Sequence, residues 1–160
     1  SARDILDALE NGFRARADLK GKLAELFMSR HLDELQRADE VMRYEWFDRD
    51  GVPDFTVWLT TGRIITVEVK NVRSGDGALR VETQKTRASK GDAMSRFYRA
   101  DQFDVLAACL YNRTGRWEYV FARPTELRRA RSDERYLEPI QAITLPALPP
   151  WHERLTDATL

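Results

Sequence analysis

The segment Val52–Lys70, which reads VPDFTVWLTTGRIITVEVK, contains two short runs with the composition of β-strands. Residues 55–59 and residues 64–67 are both rich in β-branched and aromatic side chains, which strands favour. Thr61 and Gly62 lie between the two runs, and glycine tolerates the positive φ that a hairpin turn requires. The segment therefore predicts a β-hairpin with charged residues near its open end.

This hairpin brings two carboxylates together whichever turn joins its strands. A three-residue loop centred on Thr61 places Asp54 opposite Glu68. A two-residue loop shifts the pairing by one residue, and Asp54 then lies opposite Val69. In both registers the side chains of Asp54 and Glu68 are close neighbours on adjacent strands.

On the second strand, the charged residues that could bind a metal or act in catalysis lie on one face. Because side chains alternate along a strand, Glu68 and Lys70 share a face, while Val67 and Val69 point the other way, toward a core. Two carboxylates this close repel each other unless a cation lies between them, and oxygen ligands suit a hard divalent ion such as Mg²⁺. Lys70 beside that ion would orient or deprotonate a water, or stabilise charge on a phosphate.

The pair Pro53-Asp54 followed by Glu68-Val69-Lys70 resembles the motif of the PD-(D/E)XK nuclease superfamily, of the type II restriction endonuclease kind. The resemblance extends over about residues 25–127. It implies an α/β (α+β) fold with a restriction-endonuclease-like core, in which helices flank a central mixed β-sheet of about five strands. The other interpretation of the same residues is a surface hairpin with an ordinary charged edge.

The resemblance also implies roles for individual residues. Asp54, Glu68 and the carbonyl of Val69 would hold Mg²⁺, for which Mn²⁺ would substitute, and Lys70 would be the catalytic lysine. Glu25 matches by position a glutamate on the first core helix that reaches the metal site in many such nucleases. On the sequence alone, Glu25 fits a solvated helix glutamate equally well.

Length and composition favour one nuclease domain over residues 1–160, with a core at about 18–130 and a proline-rich tail at 140–160. No apolar run is long enough to cross a bilayer, and no secretory signal opens the chain, so we expect no membrane partner. The single Cys109 cannot form an internal disulfide and reads as a packed small hydrophobe. We expect a cytoplasmic protein, and the resemblance points to a prokaryotic one.

The net charge is zero, but the charges are unevenly distributed. Residues 70–99 hold eight bases and three acids, directly after the carboxylate hairpin, where a polyanionic substrate would need positive charge. In isolation such a run also fits a solvated surface, much of it loop that orders only with substrate. Its position predicts a set of DNA-contacting residues: Arg80, Gln84, Lys85, Arg87, Lys90, Arg96, Tyr98 and Arg99.

The remaining elements follow from periodicity and turn residues. We predict helices at residues 4–10 and at about 18–31, the latter with Asp18 as N-cap and an apolar stripe, followed by a strand at 43–47. The stripe consists of Leu19, Leu23, Leu26 and Phe27. The apolar run at 102–111 fits a buried strand or a buried helix, and the family pattern favours the strand.

A partner strand is predicted at residues 117–122, and a short helix is predicted after Pro124. From Ile140 onward, three prolines exclude regular helix. Trp151 and Leu155 in this segment would dock on the body of the protein or on a second copy.

These observations favour a Mg²⁺-dependent endonuclease that hydrolyses phosphodiester bonds in double-stranded DNA. Two alternatives stay open: a repair or recombination nuclease of the same fold, such as a junction resolvase, and a non-catalytic DNA-binding module. A double-strand cut is most simply made by a two-fold homodimer on a palindrome, although one active site nicking twice achieves the same result.

Overall fold

The predicted hairpin lies in the middle of a six-stranded sheet. The computed structural model describes residues 1–85 and 90–160. Its strands, in chain order, are β1 Val41–Trp46, β2 Phe55–Leu59, β3 Ile64–Asn71, β4 Arg80–Glu82, β5 Val105–Cys109, β6 Tyr119–Ala122, β7 Arg129–Ala130, β8 Asp133–Leu137, β9 Ile140–Ala142 and β10 Trp151–His152. The α-helices are α1 Ala2–Asn11, α2 Phe13–Arg37 and α3 Tyr111–Thr114. The main sheet has the order β1-β2-β3-β5-β6-β10, and β4-β9 and β7-β8 form two small ribbons.

The hairpin adopts the three-residue loop. Phe55 pairs with Val67, and at the turn the amide of Leu59 donates to the carbonyl of Arg63 at 2.9 Å. Gly62 has a φ of +87°, the left-handed conformation that glycine adopts without steric strain. One step beyond the Phe55–Val67 pair, this register places Asp54 opposite Glu68.

The apolar run after Asp104 forms a strand, as the sequence favoured. β5 pairs in parallel with β3, whereas the other neighbours in the main sheet pair antiparallel. Residues 105–109 are all buried, Cys109 among them, which is typical of a central parallel strand covered on both faces. The predicted α+β class with a mixed sheet is confirmed, with six strands where about five were expected.

One face of the sheet is covered by α2, and of the predicted stripe Phe27 packs, partly buried, against this core. The helix begins at Phe13 with Gly12 as N-cap, so Asp18 lies inside the helix and the predicted cap is wrong. Leu19 is 40% exposed, and the helix instead buries Ala24, Met28 and Leu32 against the valines of β3. The helix is longer than predicted, and the sheet selects the face that carries the i, i+4, i+8 row starting at Ala24.

The opposite face is covered without an α-helix in the described parts of the chain. Tyr98, Phe103 and Leu137, from loops and from the β7-β8 ribbon, pack there against Leu106 of β5. The expectation that helices flank the sheet therefore holds for one face. The predicted short helix after Pro124 is a single 3₁₀ turn, Pro124–Glu126.

The proline-rich segment docks on the body of the protein. β10 pairs antiparallel with β6 and forms an edge of the main sheet. Trp151 is 3% exposed and its Nε1 donates to the carbonyl of Ala142 at 2.8 Å, while Leu155 is buried in the core below α2. Among the helices of the described residues, none is both long and apolar enough to cross a membrane.

If Trp151 anchors the C-terminal segment, Trp151→Ala should lower the free energy of unfolding by about 3–5 kcal/mol, the usual cost of truncating a buried aromatic side chain. The measurement is urea denaturation followed by circular dichroism. Leu148→Ala in the same segment is the matched control, because Leu148 is 58% exposed and its truncation should change stability by less than about 0.5 kcal/mol. Equal stability of the two variants would contradict the anchoring role.

Candidate active site

The two carboxylates of the hairpin lie on the face of the sheet opposite α2. Glu68 is only 7% exposed, and its Oε1 accepts a hydrogen bond from the hydroxyl of Tyr98 at 2.6 Å. Asp54 is partly buried, and its Oδ2 accepts from the backbone amide of Val69 at 2.8 Å. The hairpin register and these two donors fix both carboxylates at the junction of β2 and β3.

Lys70 shares its strand face with Glu68, as the alternation predicted. Its Nζ lies 3.5 Å from Oε1 of Glu68 and 5.3 Å from the ring centre of Tyr98. The side chain is 24% exposed, so the ammonium group is accessible from solvent while it borders the buried carboxylate. One cation therefore stands beside two carboxylates.

Burial and mutual repulsion act on Asp54. Burial raises the pKa of Asp54 well above its ordinary value, and the negative charge of Glu68 raises it further. The amide of Val69 and the charge of Lys70 favour the ionised form, and they offset only part of that effect on the pKa. Without a further positive charge, the pair is a strained electrostatic arrangement.

Glu25 lies near this pair but has partners of its own. Its Oε2 accepts from Trp46 Nε1 at 3.0 Å and from Lys22 Nζ at 3.0 Å, and Lys22 also reaches Asp48 at 2.7 Å. The charge of Glu25 contributes to the raised pKa of Asp54, which places it within electrostatic range. α2 thus brings Glu25 to the edge of the site, where its carboxylate accepts hydrogen bonds from the indole of Trp46 and the ammonium group of Lys22.

The donor set fits a hard cation with few protein ligands. Asp54 and Glu68 offer carboxylate oxygens. Because the N–H and C=O of a strand residue point to the same side, the carbonyl of Val69 points toward Asp54 as well. In residues 1–85 and 90–160 there is no cluster of three or more His, Cys, Asp or Glu side chains arranged to hold a metal. A cation at this position would therefore complete its coordination with backbone and water oxygens, as Mg²⁺ commonly does.

The predicted DNA-contacting residues separate into different environments. Tyr98 is 9% exposed, its hydroxyl donates to Glu68 and its ring packs in the core, so its environment differs from that of an exposed DNA contact, which stays a prediction. Arg99 is exposed but forms a two-point ion pair with Asp101, at 3.0 and 2.6 Å. Arg80 lies on β4, and Arg87 falls outside the described residues.

Three others border the site on the chain that leads to Tyr98. The amide of Lys85 donates to the carbonyl of Arg96 at 2.8 Å, and Gln84 forms a backbone bridge with Phe97. Lys85 Nζ also lies 5.6 Å from the ring centre of Tyr98. Lys85 therefore lies beside the ring whose hydroxyl holds Glu68, whereas Lys90 is exposed.

The sequence analysis missed the roles of Tyr98 and Trp46. Tyr98 lies 30 residues from Glu68 in the chain and sits in a basic stretch, where a tyrosine is naturally taken for a nucleic-acid contact. Trp46 is 21 residues from Glu25, at the end of β1. No spacing rule connects either pair, because the contacts arise only when separate elements pack together.

The repulsion at Asp54 predicts that Asp54→Asn stabilises the metal-free protein. The pKa is raised on folding, so the ionised carboxylate destabilises the fold above that pKa. The penalty declines as pH falls below the raised pKa and is lost at the ordinary pKa of an aspartate. The variant should gain about 1–3 kcal/mol at about pH 8 and little at about pH 4 in urea unfolding. Asp50→Asn, in the exposed turn before Asp54, is the control and should change stability little at either pH. A destabilised Asp54→Asn at about pH 8 would refute the repulsion.

Comparisons with known proteins bear on the fold. No family model matches this chain, and no curated protein matches its sequence. A similar solved structure is that of a bacterial homing endonuclease, I-Ssp6803I, with 17% sequence identity and a TM-score of 0.52. The alignment covers 67% of this chain and 68% of that one. At this identity the likeness concerns the fold alone: the chain has a mixed α+β fold similar to that of this endonuclease.

Proposed function

We propose that this protein is a metal-dependent endonuclease of the PD-(D/E)XK type that hydrolyses phosphodiester bonds in double-stranded DNA. The observation that carries the proposal is the pairing of Asp54 with Glu68 across the hairpin, with Lys70 two residues further along the same strand. A structural hairpin has no need of two carboxylates in a partly buried junction, where burial and then their mutual repulsion raise the pKa of Asp54. The nuclease-like fold supports the same conclusion.

The metal we propose is Mg²⁺, for which Mn²⁺ would substitute. Asp54, Glu68 and the carbonyl of Val69 would hold it, since these oxygens converge at the junction of β2 and β3. When bound, the ion would supply Lewis-acid activation of the scissile phosphate and of the attacking water. It would also remove the repulsion between the two carboxylates, so binding of the ion should stabilise the fold.

The chain's own contribution is positioning and charge. The hydroxyl of Tyr98 holds one oxygen of Glu68 and leaves the other free to act as a ligand. Lys70, next to the same carboxylate, places a positive charge where negative charge develops on the phosphate, and it can hold a water by hydrogen bonding. Trp46 and Lys22 orient Glu25 at the rim of the site, where Glu25 would contact the water that Lys70 holds.

The substrate preference follows less directly from the site. The similar solved structure is that of a homing endonuclease, and the motif resembles that of restriction enzymes. We therefore propose cleavage of intact duplex DNA as the activity. A homodimer acting on a palindrome would make a double-strand cut. The arrangement of cuts on a plasmid distinguishes an enzyme that cuts intact duplex DNA from a junction-specific nuclease, which would cut only branched DNA.

The first test is cleavage of supercoiled plasmid with Mg²⁺ or Mn²⁺, followed by sequencing of the cut ends. Asp54→Ala and Glu68→Ala should each abolish cleavage, since neither residue can be replaced as a ligand. Mg²⁺ should raise the melting temperature of the wild type and have little effect on either variant. Asp50→Ala is the control that should cut normally. Retention of most activity in Asp54→Ala or Glu68→Ala would exclude the proposed metal site.

The second test separates catalysis from binding at Lys70. If Lys70 acts on charge that develops only in the transition state, Lys70→Ala should lower turnover by at least about a hundredfold. DNA affinity measured with Ca²⁺, a larger oxygen-binding ion that does not support turnover at many Mg²⁺ sites, should change little. Lys70→Arg should not restore activity, because the planar guanidinium is bulkier and almost never loses a proton. Equal losses of binding and turnover would make Lys70 a simple phosphate contact.

A further inference from the structure

A cleft of about 820 Å³ lies beyond the carboxyl end of β3, the strand that carries Glu68 and Lys70. Its walls come from the first turns of α2, from the loop between β3 and β4, from β4 itself and from α3. We call it the basic cleft, after the five cations that line it: Arg16, Lys20, Arg73, Arg80 and Arg113. Glu82 is the one carboxylate in its lining.

The charge of the basic cleft is largely uncompensated. Arg73 lies 3.7 Å from Glu82, a long and exposed ion pair. The other four cations have no ion pair with any residue in the described part of the chain. The whole chain has a net charge of zero, so this is a local concentration of positive charge. Concave surfaces of one sign attract counter-charged ligands strongly.

Two elements connect the basic cleft to the carboxylate pair. β3 runs from Lys70 into the cleft, and at about 3.3 Å per residue Arg73 lies about 10 Å further along. α2 begins in the cleft and runs from there toward Glu25. At about 1.5 Å per residue, Lys20 lies about 7.5 Å from Glu25 along the helix axis. Asn71 joins the two elements, since its Nδ2 donates to the carbonyl of Lys20 at 3.1 Å.

We propose that the basic cleft binds the phosphodiester backbone of DNA on one side of the cleaved bond. This inference rests on the proposed function and extends it to a surface that the sequence analysis indicated only through Arg80. The cleft has more room than a single phosphate needs, and its cations come from four separate segments, which suits successive phosphates along a strand. Backbone contacts of this kind fix register and contribute affinity without reading sequence.

Fluorescence anisotropy with a labelled duplex, at a series of salt concentrations and with Ca²⁺ present, tests the proposal. Arg16→Ala/Lys20→Ala removes two charges from one wall. Arg37→Ala/Arg63→Ala is the matched control. Arg37 ends α2 and Arg63 precedes β3, so each lies at the end of its element that is remote from the cleft. The cleft variant should bind about tenfold more weakly and lose about two units from the slope of log affinity against log salt. The control should match the wild type.

Arg113→Ala, on the opposite wall, gives a second reading that does not depend on α2. It should weaken binding about threefold and lower the slope by about one unit. In all cleft variants, single-turnover cleavage at saturating protein should proceed at the wild-type rate, because the cleft acts in binding and not in the chemical step. Thermal unfolding confirms that each variant is folded.

The outcomes separate this inference from the proposed function. Cleavage by the wild type together with unchanged affinity and salt slope in both cleft variants would overturn the basic cleft alone. A wild type that neither binds nor cuts DNA would overturn the proposed function and the cleft with it. Labelled polyglutamate is a second ligand for the same measurement. If its binding depends on Arg16 and Lys20 while DNA binding does not, the cleft binds an acidic polypeptide and the proposal is wrong.

Discussion

The face-to-face placement of Asp54 and Glu68 is the constraint on which the site depends. The hairpin register imposes it, because the Phe55–Val67 pair leaves no other position for the two carboxylates. Burying two negative charges together is unfavourable, and the fold limits the cost with local donors: the amide of Val69 for one carboxylate and the hydroxyl of Tyr98 for the other. These donors hold the oxygens in place without cancelling the repulsion between the two carboxylates.

The features that the sequence predicted are those set by local rules. The turn at Gly62 and the alternation along β3 depend on neighbours within a few residues. They limited the hairpin to two registers, both with neighbouring carboxylates, and they predicted the inward valines. For β5 the residues alone left a buried strand and a buried helix open, and the family resemblance favoured the strand. In the structure all five of its residues are buried, as is typical of a central parallel strand. The sequence was therefore most informative at the centre of the sheet, where the proposed chemistry also lies.

The features that it did not predict arise from packing between distant segments. The buried row of α2 is set by the sheet beneath the helix, and the heptad-like spacing of Leu19 and Leu23 carried no information about that choice. β10 has only two residues among prolines, too few for any periodic signal, yet backbone pairing with β6 makes it an edge of the sheet. Tyr98 reached Glu68 because the chain after β4 folds back over the sheet, and no property of the basic stretch itself indicates that.

The distribution of charge shows why the proposed site would need more than its motif. In the proposed nuclease, DNA that approached Asp54 and Glu68 would meet two like charges, which Lys70 alone would not offset. The proposed cation would relieve that repulsion at the cleaved phosphate but not at its neighbours. The basic cleft supplies positive charge about 10 Å along β3, where the next phosphates of a strand would lie. Separating the two regions would leave the carboxylates available to the proposed cation, since arginines placed directly beside them would pair with them instead.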